Sequence, residues 1–359
     1  MKKRILSMLL AIVMVVGLVP GFTITASAAD GTTWDGTTVA TAFAGGTGTE
    51  TDPYIIATAG QLIYLRNQVN NGQSYNGMYF RLDADLDMAS NSFGDSIGYI
   101  NSSYTSFWFD GHFDGNNHAI SNLTITSTNG YTALFGNVGS GTNESVISDL
   151  TLSGVNITRN KTNYGAAALV GQAKYVKIEN CIIESGTIAG KGGYTAGFVA
   201  TKASGGTLTI TNCINRATIT YNGMDDMANT AGICAKAISS QITGCVNYGD
   251  VTSTKGFTSG ILANGNSAVI EKCANYGDIT NHGLYAAGIL ASSTNYSIKN
   301  CFNQGNVSAA ALGPPLLIML RMPFLWLTGS TVSWFSSACH PHLCLLCDSL
   351  TAHPKRLSS

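Results

Sequence analysis

Residues 231–258 read AGICAKAISSQITGCVNYGDVTSTKGFT, residues 259–286 read SGILANGNSAVIEKCANYGDITNHGLYA, and AGILASSTNYSIKNCFNQGNVS opens at Ala287. A 28-residue period this regular constrains the fold more than any local propensity. A unit so short cannot bury an apolar face alone and must stack on its neighbours. Looser copies run from Ala167 to Cys181 and from Ala196 to Cys213, with a degenerate forerunner over 133–136 and 147–150. Each unit places a small pair before an apolar pair (Ala287-Gly288-Ile289-Leu290), an apolar residue three before a cysteine (Ile298, Cys301), then a turn and a β-branched pair (Gly277-Asp278-Ile279-Thr280). Such runs are too short for helices and rich in residues that suit pleated sheets. The chain's 41 glycines and its many asparagines supply corners. The pattern predicts an all-β, right-handed parallel β-helix, one coil per unit with two or three strands each. The hand comes only from the general preference of parallel crossovers.

Stacked in register, Cys181, Cys213, Cys245, Cys273 and Cys301 form one file and Asn215, Asn247, Asn275 and Asn303 a second. Equivalent positions in stacked coils point in parallel, whereas a disulfide needs converging Cβ vectors. The thiols therefore read as small buried hydrophobes, an interpretation that Cys234 supports by standing where Leu262 and Leu290 stand. The amides read as a structural ladder capping corner backbone groups. Tyr248 and Tyr276 offer two stackable rings beside it, a thin basis for a carbohydrate track.

Residues 45–130 differ, and predict a capping segment with the first coils. Thr58 through Val69 reads as a short N-terminal helix with Leu62, Leu65 and Val69 on one face and Thr58 as N-cap, placed to cover the open edge of the stack. With GTGTETDPYIIATAGQLIYLRNQVNNG (46–72), FRLDADLDM (80–88) and FDGHFDGNNHAISNLTI (109–125), the chain resembles bacterial secreted and cell-surface proteins carrying GLUG-motif repeats. The repeats of 131–310 resemble that motif too, although Ala263 and Ala291 stand where the family often has Gly. The resemblance implies an extracellular repeat scaffold and carries no catalytic residues.

Two acidic groups invite chemistry. Asp83, Asp85 and Asp87 alternate, so one strand would set them about 6 to 7 Å apart on a single face, where calcium is a candidate ligand; the alternative is a solvent-facing row opposite Leu82, Ala84 and Leu86. Asp110 and Asp114, with His112 and His118 nearby, could serve glycoside hydrolysis, yet Asp110-Gly111 and Asp114-Gly115 are also strong turn signals. No other cofactor is expected.

Residues 1–28 read as an export signal: Lys2-Lys3-Arg4, an apolar run from Ile5 to Val19, and the cleavage site Ala26-Ser27-Ala28. Residues 29–44 form a lead-in. Without the leader's three cations the net charge falls from -1 to about -4, and no basic field for nucleic acid remains. The repeat texture stops at Val307-Ser308. The tail, 311–359, is apolar but broken by Pro314, Pro315, Arg321 and Pro323, so no transmembrane span is expected in the mature chain. Cys339, His340, His342, Cys344 and Cys347 suggest zinc only weakly, with one C-x-x-C pair. We read the abrupt change as a shifted reading frame or a truncation and fusion of the gene.

These features together predict a noncatalytic secreted or cell-surface scaffold for adhesion, with extracellular glycans or surface proteins as partners. The alternative is a polysaccharide-active β-helix enzyme, a glycoside hydrolase or lyase using Asp110 and Asp114.

Overall fold

The computed structural model describes residues 32–310, apart from 142 and 284. Residues 1–28, read above as an export signal, and the tail with its cysteine and histidine cluster lie outside the described residues.

One coil gives the plan. Phe257–Ser259, Leu262–Asn264, Ala268–Glu271, Ala274–Asn275 and Ile279–Asn281 are five short strands, each belonging to a different sheet, here numbered I to V in that order. Every strand pairs in parallel with its counterparts one coil before and after, giving sheets of five, six, nine, eight and seven strands. The fold is a parallel β-solenoid, and nine strands at about 4.8 Å spacing make sheet III on the order of 40 Å tall. The two or three strands per coil expected above become five, because strands of two residues such as Val246–Asn247 are too short to show an alternating pattern.

The register turns the sequence repeat into files of identical chemistry. In sheet III, Phe80, Phe113, Ile147, Ile178, Ile210, Ile242, Ile270 and Ile298 lie one above another. All but Ile298 are buried, and each such side chain contributes about 1.5–3 kcal/mol. Sheet V carries Ile125, Ile157, Ile188, Ile219, Val251, Ile279 and Val307 in the same way. The corner from sheet III to sheet IV needs one residue in the left-handed region. It is occupied by Asp149, Asn180, Asn212, Gly244, Lys272 and Asn300, at φ between +52° and +66°. Asparagine and aspartate tolerate that conformation better than other L-residues, which is why the corner reads Asn-Cys in three units.

The N-terminal end is covered by a helix, Ala59–Asn70, as the sequence predicts. Thr58 is its N-cap, accepting from the Gln61 amide while the Gln61 side chain accepts from Thr58 N at 3.0 Å, a reciprocal capping box. Leu62, Ile63, Leu65 and Val69 are buried against the first coil. The lead-in packs here too: Trp34 is buried, its amide bonds Asp87 O, and Ala40 N bonds Gly60 O.

Candidate functional site

The three alternating carboxylates do not form one strand or one site. Tyr79–Leu82 ends before Asp83, and Leu86–Asp87 belongs to sheet IV, so a corner separates them. Each has its own partner. Asp83 pairs with Arg81 at 2.7 Å, which holds its carboxyl below the usual range. Asp85 accepts from Ala119 N and lies 3.1 Å from His118 Nδ1. Asp87 accepts from Ala89 N and Asn122 Nδ2. The side chains face solvent opposite buried Leu82 and Leu86. Among the described residues no three His, Cys, Asp or Glu side chains converge as metal ligands.

Asp110 and Asp114 are likewise committed to structure. Asp110 is buried and accepts from Ser140 N at 2.6 Å and Ser140 Oγ at 2.8 Å, tying its coil to the next. Asp114 accepts from Asn116 N at 2.7 Å, closing the turn that its Gly115 neighbour suggested. His112 stacks on Tyr79 at 4.3 Å, where burial pushes its imidazole pKa down.

The two files lie inside the coils. All five thiols are buried and unpaired, each Sγ 3.2–3.5 Å from the carbonyl oxygen two residues earlier. Burial pushes Cys213 well up and Cys234 up to about 12. For Cys245 burial acts in the same upward direction, but hydrogen bonds from the Cys213 and Cys273 thiols oppose it and pull its pKa down. The amide file is continuous: the Nδ2 atoms of Asn215, Asn247 and Asn275 each donate to the next Asn Oδ1 at 2.7 Å. Each Nδ2, that of Asn303 included, also donates to the carbonyl two residues on.

On the outside, Tyr248 and Tyr276 stack at 4.8 Å and 8°. Arg216 covers the other face of Tyr248 at 4.6 Å and Phe302 meets Tyr276 edge-on at 5.3 Å. With neighbours on both sides of the pair, the column is poorly disposed to stack a sugar.

Two further clusters are built from segments outside the repeat. Arg159 is buried without a carboxylate partner, donating to Asn163 O and Asn163 Oδ1 at 2.8 and 2.9 Å, with Ser127 O and Asn129 O at the edge of bonding distance and Tyr164 beneath the guanidinium. At the capped end, Phe43, Tyr54, Tyr64 and Tyr75 line an open pocket of about 290 Å³ over Gly45 and Gly46. The hint available was Tyr54 in the Asp-Pro-Tyr turn and Tyr64 on the helix face opposite Leu62 and Leu65.

No family model matches the chain. Over 148 residues it is 34% identical to a protein of Evansella cellulosilytica described as a glycine-rich membrane protein; the match takes in 40% of this chain and spans 16% of that relative's length. A crystal structure of a Bacteroides ovatus protein described as an immunoglobulin A1 protease is similar with a TM-score of 0.60 at 23% identity. It covers 73% of this chain and 78% of the other, a likeness of fold. No helix among the described residues is long and apolar enough to cross a membrane.

Proposed function

We propose that the protein is a noncatalytic, exported repeat scaffold of the bacterial surface that presents a binding face to extracellular glycans or surface proteins. The observation that carries this reading is the fate of the acidic residues. Asp83, Asp85, Asp87, Asp110 and Asp114 are each consumed by a local ion pair, a turn or a link between coils. A glycosidase needs two carboxyls facing one another across a substrate. The leader-like residues 1–28 and the resemblance to GLUG-motif proteins support an extracellular setting. The test is the full exported chain on arrays of host glycans and microbial polysaccharides, with release of reducing ends followed in parallel. Retention without turnover is the expected result. Cleavage that disappears in Asp110→Asn or Asp114→Asn would instead establish the hydrolase.

A further inference from the structure

We propose that the aromatic pocket at the capped end binds a single pyranose ring of a glycan, resting on the glycan-binding reading above. Phe43 stands at the centre of its wall, its ring centroid 4.9 Å from Tyr54, 5.1 Å from Tyr64 and 6.1 Å from Tyr75. The Tyr64 and Tyr75 rings meet Phe43 at 71° and 67°, and Phe80 backs the cluster at 5.4 Å. The pocket therefore offers aromatic surface in more than one plane, with a floor that Gly45 and Gly46 keep low.

The polar chemistry is confined to three phenols. Among the described residues, none of the Tyr54, Tyr64 or Tyr75 hydroxyls has a protein hydrogen-bond partner. Tyr75 as a whole is only 8% exposed, yet its hydroxyl opens into the pocket and is not among the buried unpartnered groups, so it is free to bond a ligand in place of water. Its backbone lies at φ +55°, a conformation bulky residues seldom adopt. Burial, followed by the neighbouring phenols of Tyr64 and Tyr54, pushes the Tyr75 hydroxyl up to about 12, so all that it offers at neutral pH is a neutral donor and acceptor.

Those features select a ligand. Among the described residues no charged side chain lines the pocket, so a phosphate finds no counter-charge there, while a quaternary ammonium, which aromatic faces also attract, is the competing ligand that the test below includes. A sugar ring matches on both counts, with an apolar C–H face for the aromatic wall and hydroxyls that exchange hydrogen bonds with phenols. A volume of about 290 Å³ holds one ring, and the open mouth lets the rest of a chain continue into solvent.

The experiment is saturation-transfer NMR and calorimetry on the full exported chain. The probes are methyl β-glucopyranoside, methyl β-galactopyranoside and N-acetylglucosamine, with sorbitol and tetramethylammonium as comparisons. At least one pyranoside should bind with a Kd on the order of 1 mM. Tyr64→Ala, on the helix surface, should weaken it about tenfold or more. Tyr75→Phe, which keeps the ring packing and leaves thermal unfolding unchanged, should weaken it severalfold. Binding unaffected by both substitutions, or a preference for tetramethylammonium or sorbitol, overturns the proposal. Retention on glycan arrays that persists in Tyr64→Ala sinks the pocket while leaving the scaffold reading standing; no retention of the unsubstituted chain on any glycan sinks both the pocket and the glycan-binding half of that reading.

Discussion

Asn275→Ala is the most informative perturbation of the scaffold. The substitution removes three hydrogen bonds: the one received from Asn247 Nδ2 at 2.7 Å, and those donated to Gly277 O at 2.8 Å and Asn303 Oδ1 at 2.7 Å. At about 1 kcal/mol net for each, the loss is about 3 kcal/mol. Asn247 and Asn275 are fully buried, so a stranded Asn247 N–H adds about 1–3 kcal/mol more unless water enters. Asn303→Ala, at the end of the file, breaks only two bonds and should cost about 2 kcal/mol. Asn275→Asp tests the chemistry without changing the shape. Its carboxylate would face Gly277 O and Asn303 Oδ1 with no proton to give, so its folded pKa must rise above the unfolded value of about 4. A carboxyl raised in this way retains stability below the unfolded pKa and loses it as pH climbs toward the folded one. Urea unfolding, with hydrogen exchange of the amides between 246 and 303 as the local probe, should place Asn275→Asp nearer the unsubstituted protein at about pH 4.5 than at about pH 7.5. Equal losses for Asn275→Ala and Asn303→Ala, both under about 1 kcal/mol, would refute the cooperative ladder.

Cys273→Ser should stay within about 1 kcal/mol of the native stability and be no worse than Cys273→Ala, because Glu271 O and Ile242 O lie 3.3 and 3.5 Å from Sγ and can accept from a hydroxyl. Under native conditions the six described cysteines should resist alkylation, and all six should react once unfolded; a crosslinked Cys245–Cys273 peptide in fresh material would overturn the packing account. Lys272→Asn should stabilise by about 0.5–1 kcal/mol in thermal unfolding, since Lys272 is the one long side chain in the left-handed corner and its 3.7 Å contact with Glu271 contributes little. Arg159→Met, which keeps volume but no donors, should cost about 2 kcal/mol or more by leaving Asn163 O and Asn163 Oδ1 without their partner; no loss would mean that water replaces the guanidinium.

The sequence was most legible where position repeats. Ile270, Cys273 and Asn275 recur at fixed offsets from coil to coil, and a file needs only an offset to be read. The cap was legible through Thr58 and the spacing of Leu62, Leu65 and Val69. Strand number was not, because Ala274–Asn275 and most of its counterparts are two residues long and bounded by corners. A single strand through Asp83, Asp85 and Asp87 failed for a related reason: alternation of exposed and buried residues continues through a corner, so a period of two does not certify unbroken sheet. Backbone carbonyls near the thiols, able to accept from a serine hydroxyl at 273, are likewise invisible in a residue pattern. Arg159 and the Phe43 pocket join residues from single, non-repeating segments, and nothing periodic points to either.

Coil length varies outside the stretch that carries the thiol and amide files. From the end of sheet V to the start of sheet I the chain takes Tyr221 to Asn229 in one coil but Ser253 to Phe257 in the next, the longer corner leaving Met224 and Met227 in solvent. Between sheets II and III, Thr201 to Leu208 is likewise longer than Lys236 to Ser240. From Ile147 onward the passage from sheet III to sheet IV does not change: Ile147 to Leu152, Ile178 to Ile183, Ile210 to Asn215, Ile242 to Asn247, Ile270 to Asn275 and Ile298 to Asn303 all keep the same separation, whereas Phe80 to Leu86 and Phe113 to Ile120, before the thiol and amide files begin, are longer. One inserted residue there would rotate both the thiol and the amide out of their files. The glycine opposite is bound by the same constraint, since a Cβ on Gly260 would lie 2.3 Å from Asn275 Cγ and one on Gly288 2.3 Å from Asn303 Cγ. Glycine, left-handed corner, thiol and amide are therefore a single packing device, and the small-Gly-apolar-apolar and Asn-Cys halves of the repeat are the two sides of one contact across the coil.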